Sequence, residues 1–370
     1  MRRGPGFKSL MSILTAVLMP ANVALALDRV DISDLTHLSL EDLMNLRVEV
    51  TSAAKKAQAL GSVAAAVSVL TGDDIRRSGA TNIPDALRLI PGIQVARIDS
   101  GRYAITSRGF SGRFANKLLV LIDGRSVYTP LFSGVFWELQ DTMLEDIDRI
   151  EVIRGPGATL WGANAVNGVI NIITKPASAT QGTLVAGAVG TQERAAGAVR
   201  FGDSFAEGTG HYRVYAKHTR REQGLTSAGE DASDDFDRSR AGFRADWKTD
   251  ADNAFRAQGG VTTGRLGETA TLFQPTAPFA QTVRERDKLL NADLLASWTR
   301  KLSATSEFSL QTYYNRESFR WPQVEATNDT FDVEFQHRMA PLDRHDFIWG
   351  AGYRLNSDDV KSNFSLSVEP

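Results

Sequence analysis

The 370-residue sequence contains no cysteine, which excludes a disulfide scaffold, a thiolate zinc site, an iron–sulfur cluster and a thiol nucleophile. Histidine is scarce too. The five residues His37, His211, His218, His337 and His345 never fall at metal-ligand spacing, and none lies between His37 and His211. Ser107-Arg108-Gly109 and the acidic run Glu145, Asp146 and Asp148 therefore have no imidazole nearby in sequence to share proton transfer. These absences read as a chain that is not an enzyme and holds neither metal nor cofactor. An excess of one charge is also missing: 42 Lys and Arg face 44 Asp and Glu, a formal charge of −2, so nothing draws the chain to nucleic acid. Gly157 and Gly162 have phosphate-loop spacing, but Ala163-Asn164 stand where Lys and Ser or Thr are required, and Leu160 breaks a dinucleotide fingerprint. No apolar run is long enough to span a bilayer as a helix. That leaves open a β-barrel, whose strands alternate in polarity.

What is present begins with an address. Arg2, Arg3 and Lys8 precede an apolar run from Leu10 to Leu18, and Ala24-Leu25-Ala26 ends it, the pattern of a secretory signal peptide over residues 1–26. Pro20 and Asn22 interrupt the run before it reaches the roughly 20 residues of a membrane anchor.

Beyond it the chain changes grammar near residue 180. The first part reads as mixed α and β. Short helices are expected at Ser39–Leu46, from Thr71-Gly72-Asp73-Asp74 onward and at Ile83–Ile90, with strands at Ala66–Leu70, Leu118–Ile122, Ile150–Ile153 and Val169–Ile173. The second part has period two: Phe331, Val333 and Phe335 alternate with Asp332, Glu334 and Gln336, and Phe347 to Leu355 repeats the pattern. About nine such strands are expected. Their links should be short near 203–210, 249–253, 300–304 and 340–345, and long at 222–237, 264–286 and 318–327, the asymmetry of an outer-membrane barrel rather than a sandwich.

Seven strings in order carry a resemblance. They are Val48-Glu49-Val50-Thr51-Ser52-Ala53, Ile75 to Ala80, Ala86 to Gly92, Ser107-Arg108-Gly109-Phe110, Leu121-Ile122-Asp123-Gly124-Arg125, Ile150 to Pro156 and Gly168 to Lys175. Together they resemble the plug of TonB-dependent outer-membrane receptors. The resemblance implies an α+β plug followed by an antiparallel transmembrane β-barrel, here about nine strands of an expected 22. It implies these divisions: signal peptide 1–26, N-terminal periplasmic extension 27–47, TonB box 48–53, plug 54–178 and the N-terminal portion of the barrel 179–370.

The same resemblance implies a monomer in outer-membrane lipid that imports a scarce nutrient, most readily a ferric siderophore or another metal chelate, with cobalamin as the alternative. A passive barrel, or a truncated fragment that does not transport by itself, are the other readings. The energy-coupling partner would be the C-terminal domain of TonB, which the box Val48, Glu49, Val50, Thr51, Ser52 and Ala53 would join as an added strand. Arg108 and Arg154 match plug arginines that pair with barrel-wall carboxylates, here expected in later strands. Plug apices at Arg97, Arg102, Tyr103, Arg113, Phe114, Asn116, Phe132, Phe136 and Trp137 would meet an anionic or aromatic cargo.

Overall fold

Thr71 caps a helix as its sequence anticipates: its hydroxyl accepts the Asp74 N–H at 3.1 Å, while the Asp74 carboxylate accepts the Thr71 N–H at 3.0 Å. In the computed structural model, which describes residues 49–52, 55–56, 58–342 and 345–361, such local signals build two parts. The expected signal peptide, the extension with its helix at Ser39–Leu46, and Val48 and Ala53 lie outside the described residues.

The N-terminal domain contains β1 (Glu49–Val50), β2 (Gln58–Ala59), β3 (Ala66–Thr71), α1 (Gly72–Ser78), α2 (Ile83–Leu87), β4 (Ile93–Arg97), β5 (Tyr103–Ser107), β6 (Leu118–Ile122), β7 (Arg125–Ser126), β8 (Ile147–Arg154), α3 (Ala158–Trp161) and β9 (Gly168–Thr174). Five of the strands form one sheet in the order β3-β8-β9-β6-β7, parallel only between β6 and β9. All of β6 is buried, because the sheet is covered on both faces. Leu118, Val120 and Ile122 join the core under α1 and α2, while Leu119 and Leu121 pack with Ile153, Ala165 and Val169 on the other side. Asp123 (φ 52°) and Gly124 (φ 88°) then make the two-residue hairpin turn into β7.

The second part is a nine-stranded antiparallel sheet in simple sequence order. Its strands are β10 (Gly182–Ala188), β11 (Glu193–Phe205), β12 (Gly210–Arg221), β13 (Phe236–Lys248), β14 (Asn253–Phe273), β15 (Ala280–Ser303), β16 (Ser306–Arg320), β17 (Glu325–Leu342) and β18 (His345–Lys361). The nine strands match the expected number. The connections need correction: 264–286 and 318–327 are mostly strand, and only residues 274–279 and 321–324 link them. The hairpins keep pairing past the apolar band, since pairing satisfies their backbone groups without any apolar requirement. Among the described connections of this sheet only 222–235 is long.

On β15 the outward positions Leu290, Ala292, Leu294, Ala296 and Trp298 are apolar, and the outward series then turns charged at Lys288, Arg286 and Arg284. Nine residues from 290 to 298 fit the roughly 9–11 of a tilted membrane strand. At the rim marked by turns 206–209, 249–252 and 304–305, aromatic rings run from strand to strand: Trp247 to Phe255 (5.5 Å between centroids), Phe255 to Trp298 (6.0 Å), Trp298 to Phe308 (4.9 Å), Phe308 to Phe335 (5.8 Å) and Phe335 to Trp349 (5.4 Å). We call this the lower rim; 189–192, 222–235, 274–279 and 321–324 form the upper rim. The inward face of the sheet packs on the N-terminal domain, with Phe136 and Leu139 buried among Phe236, Leu266, Leu289 and Phe319.

Candidate functional site

The lower site begins with a two-residue strand. β1 pairs antiparallel with β2, and Val50 is completely buried. Past β1 the backbone turns onto β8, where the Thr51 N–H reaches the Glu151 carboxylate at 3.0 Å and the Ser52 N–H reaches it at 2.7 Å. Glu151 is fully buried and is balanced by Arg149 Nε at 2.8 Å. Trp161 Nε1 donates to the Ser52 carbonyl at 2.7 Å, and Asn171 donates to the Ser52 hydroxyl at 3.0 Å. The following lysines reach the wall. Lys55 pairs with Glu334 at 2.5 Å and lies 4.8 Å over the Trp161 ring, and Lys56 pairs with Asp346 at 2.6 Å. Residues 49–52 thus run from a two-residue strand into a bend and a turn, with the Thr51 and Ser52 N–H groups held by one buried carboxylate and a few further hydrogen bonds around them.

Above it, charges seat the domain in the wall. Lys217 and Arg238 converge on Asp141 at 2.9 and 3.1 Å, and Arg200 and Arg213 both pair with Asp146. Asp123 accepts the Thr174 N–H at 2.8 Å and the Gln258 amide at 2.9 Å, with Arg244 at 3.8 Å. Burial alone would push both carboxyls up. Arg256 and Arg244 outweigh it at Asp123, and Arg238 and Lys217 at Asp141, holding both below the ordinary Asp range. On the β15–β18 side the polarity reverses, with Arg125 near Asp293 at 3.6 Å and Lys55 and Lys56 on wall acids.

This seat was missed by sequence reasoning. The signal was available: Arg213, Lys217 and Arg221 share one face of β12, and Arg238, Arg240 and Arg244 one face of β13, while the opposite face carries the apolar alternation. Arg108 and Arg154 take no ion pair among the described residues; the Arg108 guanidinium donates to the Arg154 carbonyl at 3.3 Å.

The apex residues fall into two groups at the upper rim. Arg113 pairs with Glu138 at 2.7 Å and stacks 5.0 Å from the Phe114 ring and 4.8 Å from Trp321. Phe132 stacks on Phe114 at 5.4 Å, and Phe136 packs on Phe319 at 5.3 Å. The close approach of Gly134 to Phe114 fixes this turn, since a Cβ on Gly134 would meet Phe114 Cα at 2.7 Å. In the second group Arg97 donates to Gln192 at 3.2 Å, Tyr103 accepts from Arg221 at 2.7 Å, and Arg102 is buried among carboxylates. Trp137 turns into the core of the N-terminal domain, and Asn116 is exposed.

Residues 59–169 match the TonB-dependent Receptor Plug Domain family. The N-terminal domain is a TonB-dependent receptor plug. The Vitamin B12 transporter BtuB of Vibrio cholerae serotype O1 (strain ATCC 39541 / Classical Ogawa 395 / O395) is 32% identical over 160 residues, 43% of this chain and 26% of that protein. The iron-regulated outer membrane virulence protein of the same strain is 32% identical over 185 residues, 47% of this chain and 28% of its own length. The plug and its wall also superpose on the ferripyoverdine receptor of the outer membrane of Pseudomonas aeruginosa, with a TM-score of 0.66 at 16% identity, over 87% of this chain and 46% of that one. The copper transporter OprC gives a TM-score of 0.61 at 18% identity, over 80% and 46%. At such identities the likeness is one of fold, a plug against an antiparallel barrel wall. The chain spans 26% of BtuB and 46% of the ferripyoverdine receptor.

Proposed function

We propose that this chain is the plug and first wall strands of an outer-membrane receptor that imports a scarce nutrient with energy delivered through TonB. The observation that carries the reading is the docked segment at Glu49–Ser52. Its backbone is held by one buried carboxylate, a two-residue pairing with β2 and hydrogen bonds from Trp161 and Asn171, a small set of contacts that suits a segment stored on the plug and then given up to a partner's sheet edge. On this reading 1–26 directs export, 27–47 is periplasmic, 48–53 is the TonB box, 54–178 the plug and 179–370 the wall. The lower rim faces the periplasm and the aromatic row marks the inner edge of the membrane.

The plug's seat supports active rather than passive passage. Buried ion pairs along β11–β13 fill the space between plug and wall, so a path opens only when they are pulled apart. A porin-like barrel would leave that lumen open. For cargo, the apices fit a metal chelate such as a ferric siderophore, because the rings around the Arg113–Glu138 pair offer an aromatic surface with a guanidinium in it. Cobalamin is the second reading, favoured by the likeness to a vitamin B12 transporter.

The test is binding of a peptide spanning Arg47 to Lys56 to the TonB C-terminal domain. Saturable binding that a scrambled peptide lacks supports the receptor reading. Equal behaviour of the two peptides would return the chain to the passive-barrel class.

A further inference from the structure

One group at the upper rim is short of positive charge. The Arg102 guanidinium faces three carboxylates: Asp99 at 3.2 Å, Glu268 at 2.8 Å and Asp287. Asp287 is fully buried, its Oδ1 has no hydrogen-bond donor, and its carboxyl faces that of Glu268. Beside them lies a cavity of about 380 Å³ lined by Arg97, Asp99, Ser100, Arg102, Asp234 and Glu268 among others.

The connection 222–235 that borders the cavity carries Glu222, Glu230, Asp231, Asp234 and Asp235 and no Lys or Arg of its own, although Arg194 pairs with Glu222 and Arg286 with Asp235. Asp234 is fixed at the cavity by N–H donors from Ser100 at 3.0 Å and Gly224 at 2.6 Å. The lining and the buried Asp287 behind it bring four carboxylates to two guanidiniums. A cavity of this size with more carboxylates than guanidiniums in its lining fits an organic cation.

We propose that this cavity receives a positively charged organic group of the cargo, an ammonium or guanidinium, against Glu268 with Asp287 behind it. The proposal rests on the receptor reading above and names a charge class for its cargo. Asp287 stands above the apolar band that ends at Leu290, outside the bilayer. Burial and the facing Glu268 push its carboxyl up to about 8, against Arg102. The empty pair therefore holds one proton at neutral pH, and the arriving cation sends that proton to solvent: one positive charge enters as one leaves. Arg97, Asp99 and Arg102 from the plug, Glu268 from β14 and Asp234 from the connection are the charged groups that face the exchange.

The experiment uses spermidine as the probe and the whole chain in detergent. Calorimetric titration at pH 7 in two buffers of different ionisation heat gives both affinity and proton release. Saturable binding that releases about one proton is expected. Asp287→Asn should abolish the release, and Glu268→Gln, at the cavity lining where folding is less at stake, should weaken binding about tenfold. Binding that neither substitution alters, no binding, or a preference for citrate over spermidine would each overturn the proposal. A chain whose Arg47–Lys56 peptide binds TonB while the chain ignores spermidine keeps the receptor reading and loses only this one.

Discussion

Ser52 donates its backbone N–H to Glu151 at 2.7 Å, and Glu151 is completely buried. Together with the Thr51 N–H bond to the same carboxylate, this contact joins the segment that would leave the plug to β8. Glu151→Gln keeps the shape but replaces charge-assisted hydrogen bonds with neutral ones, a loss of about 1–2 kcal/mol. Amide hydrogen exchange at Thr51 and Ser52 should speed up roughly tenfold, while exchange in β6 and β9 stays unchanged. Equal protection in both proteins would show that Glu151 does not hold the segment.

Asp141 is the hub of the seat, with Lys217 and Arg238 both on it. Asp141→Asn leaves two buried cations without their carboxylate and should cost about 3 kcal/mol of plug stability, read from the urea midpoint of tryptophan fluorescence. Asp141→Leu combined with Lys217→Met and Arg238→Met should recover most of it. A single substitution that costs nothing would remove the seat from the account.

The seat should also be sensitive to acid in one direction. Asp123 and Asp141 are held below their ordinary pKa in the folded plug. Their contribution is therefore complete above the unfolded Asp value of about 3.9 and is lost as pH falls through the lower folded values. The contribution of Asp123 and Asp141 should be level from neutrality down to about pH 4 and fall below that. Asp123→Asn with Asp141→Asn should flatten the acid slope, and an unchanged slope would assign it to other carboxylates.

At the upper rim Phe319 is buried against Phe132 at 5.5 Å, Phe136 at 5.3 Å and Trp321 at 4.4 Å. Phe319→Ala should cost about 3–5 kcal/mol and loosen the apex turn near Gly134. Thermal unfolding followed by near-ultraviolet circular dichroism reads both the loss of stability and the loss of ring order.

Much of the fold was legible because its signals are local. The Thr71 cap, the Asp123-Gly124 turn and the alternation of Phe331, Val333 and Phe335 each need only a few neighbouring residues to be read. Strand ends were not legible, since β14 and β15 continue to Phe273 and Ala280, where Leu266, Ala270 and Leu272 still alternate on the buried face but the outward face of β15 has turned charged. The docked segment was legible as a string, but its holder was not: Glu151 lies 99 residues from Ser52, and nothing near either residue announces the other. The seat was hidden differently. Arg213, Lys217 and Arg221 look like an ordinary wet face until the plug behind them turns that face into an interior.

The central claim is that residues 49–52 are a segment stored on Glu151 for release to TonB. Its most direct measurement is the affinity of the detergent-solubilised chain for the TonB C-terminal domain, in the native protein and in Glu151→Gln. Binding about tenfold tighter in the variant, competed away by the Arg47–Lys56 peptide in both, is the predicted result. Equal affinities, or binding that the peptide does not displace, would contradict it.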